Sequence, residues 1–259
     1  MAEADARAAG GADPVAETIW ITGHHGDQIE AYLARPAGPG PHPGVVVIHH
    51  MPGFDAGSKK ITRIFARHGY TALMPNLHYR EAPGASPDDA AAAVRAAGGV
   101  PDDRLVGDVA GAAAYLRSQG TSNGKVGVIG YCSGGRQAVL AACSLPFDAA
   151  VDCYGGFVVN PPPAGAPSKA KPVVGLIGDL SCPLLGLFGA EDRHPSPEET
   201  ATLAQELERH GKTYEFHTYE GAGHAFFAAD RPSYHPEAAA AGWERIWAWF
   251  GRYLAGEQA

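Results

Sequence analysis

Basic side chains are in short supply: 20 lysines and arginines stand against 28 aspartates and glutamates in 259 residues, a formal net charge of -8. That balance lacks the basic footprint of a nucleic-acid binder. Cysteine is equally sparse. The four present, Cys132, Cys143, Cys153 and Cys182, lie in the second half with no CxxC and no zinc-type pairing. In a chain this long they do not resemble a disulfide framework, and a reducing, cytoplasmic setting fits them. No apolar run approaches the roughly 18 residues that a membrane span needs. The opening MAEADARAAGGADPVAE carries acids where a secretory leader needs a basic and then an apolar segment. The expectation is a soluble, cytoplasmic protein with neither nucleic-acid nor membrane partners.

What is present is ordinary globular usage, 45% hydrophobic and 19% charged, with 34 glycines and 21 prolines to make many turns. Residues 1–16, rich in alanine, glycine and acids, read as a mobile tail, and residues 17–259 as a single domain. Residues 18–22 and 28–34 alternate as strands, with HHGD as the turn between them. Residues 44–50 (GVVVIHH), 71–77 and 125–131 are continuous apolar runs of the kind that a strand buried on both faces requires. Further strands are expected at residues 149–154, 183–188 and 213–219. Helices are expected at residues 58–69, 103–118, 134–144, 197–210 and 236–254, the last with Trp243, Ile246, Trp247 and Phe250 at helical spacing as core anchors. Residues 160–171, with three successive prolines, are a loop. Strands alternating with helices predict an α/β fold, a mostly parallel sheet with helices on both faces. There is no internal repeat.

The informative segment is Gly130-Tyr131-Cys132-Ser133-Gly134-Gly135. It follows a buried strand and opens a helix, the setting of a nucleophile elbow, G-x-S-x-G, with cysteine in the serine position. Glycines flank such a residue because a Cβ there would collide with neighbouring backbone. The helix N-terminus presents N–H groups and a positive dipole that favour a thiolate. The bland alternative is a small core cysteine between incidental glycines.

Two later segments bear on that choice. Residues 183–188 are an apolar strand that leads through Gly189-Ala190 to Glu191-Asp192. Residues 213–219 lead to Glu220-Gly221-Ala222-Gly223-His224. Nucleophile, acid and histidine then follow in the chain order of α/β-hydrolases, each at the C-terminal end of a strand, where ligands bind in open parallel sheets. In that reading His224 handles the Cys132 proton and later activates water, while Asp192 orients the imidazole. The backbone N–H groups of Ser133 and Met51 would form the oxyanion hole. Glu191 is the rival for the acid, and a satisfied core histidine is the alternative for His224.

GYCSGG, GAED, GAGHAFF, VIHHMPGF and MPNLHYREAPG together resemble the dienelactone hydrolases, or carboxymethylenebutenolidases, over nearly the whole chain. The resemblance implies an α/β-hydrolase domain with a Cys132–His224–Asp192 triad. It also implies hydrolysis of a small anionic enol-lactone, such as dienelactone to maleylacetate, through a thioester and without metal or cofactor. Arg80 matches a family arginine that contacts the substrate carboxylate, for which its bidentate fork is suited. Two positions depart from the pattern. His50 stands where the family has a glutamate that restrains the resting cysteine, and Ala228 replaces a second arginine.

His50 is therefore expected to pair with the thiolate or touch substrate. Tyr154 and Phe226 either line the pocket or pack. Neither His49-His50 nor His24-His25 reads as a metal site, since neighbours on a regular strand face opposite ways and no further ligand cluster accompanies them. The expected partner is a small ester or lactone, and the expected assembly a monomer or small homo-oligomer. The rival functions are a promiscuous carboxylesterase or thioesterase with the same triad, or a hydrolase-fold protein that binds small molecules or senses oxidants through Cys132.

Overall fold

A computed structural model describes residues 13–256. The strands β1 (Val15–Thr22), β2 (Gln28–Arg35), β3 (His42–Ile48), β4 (Thr71–Pro75), β5 (Ser122–Tyr131), β6 (Ala149–Cys153), β7 (Leu184–Gly189) and β8 (Tyr214–Tyr219) form one sheet in the order β1-β2-β4-β3-β5-β6-β7-β8. β1 and β2 pair antiparallel, β2 runs antiparallel to β4, and every pairing from β4 to β8 is parallel. The helices are α1 (Ala56–Arg67), α2 (Pro87–Ala97), α3 (Asp102–Ser118), α4 (Ser133–Ser144), α5 (Pro197–Arg209) and α6 (Pro236–Phe250).

Period-two alternation divides each central strand between two cores. From β3, Val46 and Ile48 enter a layer with Leu105, Val109 and Leu116 of α3, Val139 of α4 and Leu203 of α5. Val45 and Val47 enter the opposite layer with Phe65 of α1 and Trp243, Ile246 and Phe250 of α6. Because both faces are covered, these strands read as unbroken apolar runs. Trp247 of α6 lies flat on His68 at the end of α1, with ring centroids 3.9 Å apart.

The chain leaves β3 for β4 on one side and returns through α3 to β5 on the other. The strand order therefore reverses between β3 and β5, where open α/β sheets leave a crevice.

Several boundaries differ from expectation. The first twelve residues of the expected tail lie outside the described residues, and Val15 and Ala16 already belong to β1. β3 ends at Ile48, so His49 and His50 stand in the loop beyond it. The HHGD turn contains a 3-10 turn at His24–Gly26, and another at Val174–Asp179 follows the proline loop. α6 stops at Phe250 and continues as a π-helical turn, Gly251–Ala255.

Candidate active site

Cys132 joins β5 to α4 with φ 56° and ψ -120°. A non-glycine residue in that region is held there by its surroundings at a cost of about 1–3 kcal/mol. The glycines explain how so tight a turn closes. A Cβ on Gly130 would lie 1.8 Å from the Gly134 carbonyl oxygen, and one on Gly134 would lie 2.5 Å from that of Ile48. The turn is pinned by the Cys132 N–H donating to Cys153 O (3.1 Å) and the Gly135 N–H donating to Cys132 O (2.9 Å). Cys132 is half-buried, whereas Cys143, Cys153 and Cys182 are buried and none is in a disulfide. Burial pushes the Cys143 and Cys182 thiols up to about 12 and raises that of Cys153 as well, and Cys132 is the cysteine with exposed surface.

His224 follows β8 in a glycine-flanked loop, and its Nδ1 lies 2.8 Å from Asp192 Oδ2. The Asp192 carboxylate is buried, and its other oxygen accepts the His194 N–H at 2.9 Å. Glu191, the rival acid, is exposed. Burial pulls the His224 imidazole down, but the bond to Asp192 and the neighbouring Cys132 sulfur outweigh it and push it up to about 10. These contacts favour the protonated imidazole of His224, which faces both the acid and the elbow.

The loop after β3 is organised by His49. Its Nε2 accepts the Leu77 N–H at 3.3 Å, so its Nδ1 carries the hydrogen and donates to His50 O at 2.8 Å. The same carbonyl accepts the Gly53 N–H at 2.9 Å, which closes the turn around Met51 and Pro52. Burial lowers His49 to about 4, keeping the ring neutral for this bridging role. Among the described residues the Met51 N–H donates to no backbone carbonyl, and the Ser133 N–H is one of the orphan donors at the start of α4. The two segments are adjacent, since α4 packs at Gly134 directly against Ile48 and His49.

His50 is engaged by a residue that the sequence reading passed over. Its Nε2 lies 2.7 Å from Oδ2 of Asp55, whose Oδ1 caps α1 by accepting the Ser58 N–H at 2.7 Å. Burial works against the charged carboxylate, yet His50 and Ser58 hold Asp55 at about 2. An acid two or three residues before an amphipathic run is a recognisable N-cap signal, but its pairing with His50 is not written in that pattern.

A cavity of about 350 Å³ has Tyr131, Tyr154, His49, His50 and Phe227 in its wall; it reaches the elbow through Tyr131, while Cys132 and His224 themselves are not among its lining residues. Tyr154 approaches the His224 ring edge-on at 5.2 Å. Of the two aromatic candidates, Tyr154 lines this space. Phe226 is fully buried, stacked on Phe227 at 4.7 Å, and it is Phe227 that reaches the cavity. Ile61 and Ile64 of α1 and Trp243 of α6 complete the apolar wall.

Arg80, expected to contact a substrate carboxylate, is engaged within the protein. Its Nη1 and Nη2 donate to Asp108 at 2.7 and 2.9 Å, and its Nε donates to Asp27 at 2.8 Å. The fork does meet a carboxylate bidentately, but that carboxylate is the protein's own, and Arg80 is absent from the cavity wall. Asp108, fully buried, also accepts the His24 N–H at 2.8 Å, so the group ties β1–β2 to α3.

Among the described residues, no group of three or more His, Cys, Asp or Glu could hold a metal ion, and no helix is long and apolar enough to cross a membrane. The model of the dienelactone hydrolase family matches residues 29–254. The chain belongs to that family. It is 34% identical to an Escherichia coli (strain K12) protein provisionally named carboxymethylenebutenolidase, over 88% of this chain and 84% of the relative. A Bradyrhizobium protein named a probable 2-oxo-3-(5-oxofuran-2-ylidene)propanoate lactonase is 31% identical, over 93% of this chain and 98% of that one. The crystal structure of a provisionally named dienelactone hydrolase from Klebsiella pneumoniae is 31% identical. It superposes with a TM-score of 0.81, over 93% of this chain and 99% of the other. The dienelactone hydrolase-like fold is thus that of an α/β-hydrolase.

Proposed function

We propose that this dienelactone hydrolase-family member hydrolyses a small lactone or ester through a thioester on Cys132. The observation that carries the reading is the strained, half-exposed Cys132 at the head of α4, next to an imidazole bound to a buried carboxylate at 2.8 Å. The Cys132 thiolate, paired with the His224 imidazolium, attacks the carbonyl carbon and forms a C–S bond. The Met51 and Ser133 N–H groups receive the developing oxyanion. Collapse breaks the C–O bond, and His224 gives its proton to the leaving oxygen, which stays tethered when the substrate is a lactone. Neutral His224 then takes a proton from water as its oxygen attacks the thioester, and the C–S bond breaks to restore the thiolate–imidazolium pair. Asp192 holds the imidazole in the tautomer that both steps need.

The names of the two relatives support lactones as substrates. The engagement of Arg80 by Asp27 and Asp108 favours extending that range to esters, and it gives no support to an anionic substrate. Four unpaired thiols support a reducing, cytoplasmic setting.

Hydrolysis of a chromogenic ester and of a dienelactone, with and without prior iodoacetamide, tests the reading. One equivalent of label on Cys132 should abolish turnover, and Cys132→Ala should do the same while leaving the unfolding temperature unchanged. Turnover untouched by complete labelling would mean another nucleophile. Labelling of Cys132 in a protein that turns over neither substrate would mean a binding or sensing role.

A further inference from the structure

The cavity that has Tyr131, the chain neighbour of Cys132, and Tyr154, which meets the His224 ring at 5.2 Å, in its wall is the space placed to hold an acyl group. That cavity, about 350 Å³, lies at the small end of ligand pockets, which run from about 300 to 1,000 Å³. Its wall is mainly Val47, Ile61, Ile64, Tyr154, Phe227 and Trp243. Where the family pattern has an arginine, Ala228 contributes a methyl group to this wall. The lining residues that carry a formal charge are Lys60 and Asp230, both exposed and opposite in sign. Asp230 lies against Gly57 in the first turn of α1, so an entering anion meets a carboxylate there. Of the deeper polar groups, His49 is engaged between Leu77 and His50, and His50 Nε2 with Asp55, while the buried Tyr131 hydroxyl has no partner among the described residues. Arg80 lies elsewhere and is saturated by two aspartates.

We propose that this cavity is an acyl-binding site for uncharged, mainly apolar acyl groups, and that it discriminates against an acyl group ending in a carboxylate. The assignment rests on the hydrolase reading above and specifies its substrate class. The physical ground is desolvation: a carboxylate entering this wall loses water and finds in return one neutral hydroxyl, that of Tyr131, and a His50 ring already paired with Asp55, whereas a methyl terminus gains by leaving water.

The test compares p-nitrophenyl hexanoate with mono-p-nitrophenyl adipate, which differ only in a terminal methyl against a terminal carboxylate. Each kcat/KM is divided by the ester's own rate with hydroxide. The hexanoate should be preferred by at least about tenfold. Ala228→Arg, which sets a cation in the wall, should move the adipate-to-hexanoate ratio upward by a similar factor. Equal rates, or a preference for adipate in the unmodified protein, would overturn the proposal while leaving the thiol hydrolase reading intact. An unchanged ratio in a folded Ala228→Arg protein would overturn the cavity as the acyl site. Turnover of neither ester, with Cys132 still alkylated by iodoacetamide, would overturn the hydrolase reading and the assignment with it.

Discussion

At His49 a single neutral ring links two backbone segments, receiving a hydrogen from Leu77 and giving one to His50. In the proposed mechanism its work is positional, because the carbonyl it grips closes the turn that aims the Met51 N–H. Loss of one oxyanion donor costs roughly 10²–10³ in kcat in well-studied hydrolases. His49→Asn keeps the donor to His50 but cannot reach Leu77, so a smaller loss, about tenfold in kcat with KM little changed, is expected from steady-state kinetics. A rise in KM at constant kcat would mean that His49 shapes the cavity instead. The sequence made Cys132, Asp192 and His224 legible because their order and their places after apolar strands are properties of one dimension. It did not show how Arg80 is engaged because the partners that hold it, Asp27 and Asp108, lie 53 and 28 residues away. Spacing carries no signal for such a pairing, and a free arginine and a saturated one look alike in a string of letters.

Among the elements, α1 has two duties that meet at Asp55. As N-cap, Asp55 satisfies an orphan donor of the helix, and as partner of His50 it fixes a side chain in the cavity wall. Asp55→Ala should therefore lower stability by about 1 kcal/mol through the lost cap. It should also change kcat/KM for the hexanoate ester, because His50 is released into the cavity. Asp55→Ser, which retains a capping oxygen but is too short for His50, should restore the stability and leave the kinetic change. Denaturant unfolding and ester kinetics on the two variants separate the roles. The helices and buried strands were readable from period and apolar runs. Their ends were less so: β3 stops at Ile48, where the histidines turn from ladder to loop bonding, and α6 ends at Phe250 in a π turn. Those boundaries are set by tertiary partners rather than by composition.

Over the whole molecule, Asp152 is a liability kept next to the site. It sits in the middle of the sheet on β6, fully buried, with Oδ1 accepting the Gly155 N–H at 2.8 Å and Oδ2 without a partner. Burial raises it from 3.8 to about 7. Because the folded value is the higher one, the stability its neutral form contributes is complete below pH 3.8 and is lost as pH rises toward about 7. Asp152→Asn removes that titration. Urea unfolding at pH 4.5 and 7.5 should show the variant gaining about 3 kcal/mol on the unmodified protein between the two. Parallel profiles would mean that Asp152 does not titrate on folding.

The wall of the cavity also contains a fluorophore. Trp243 lines the cavity while its indole lies against that of Trp247, with centroids 5.0 Å apart and planes 15° from parallel. An acyl group that replaces solvent beside Trp243 changes the polarity around one member of an electronically close pair. The emission of this chain is thus a native gauge of occupancy, readable in a stopped-flow mixing experiment without any label and before the first bond is broken.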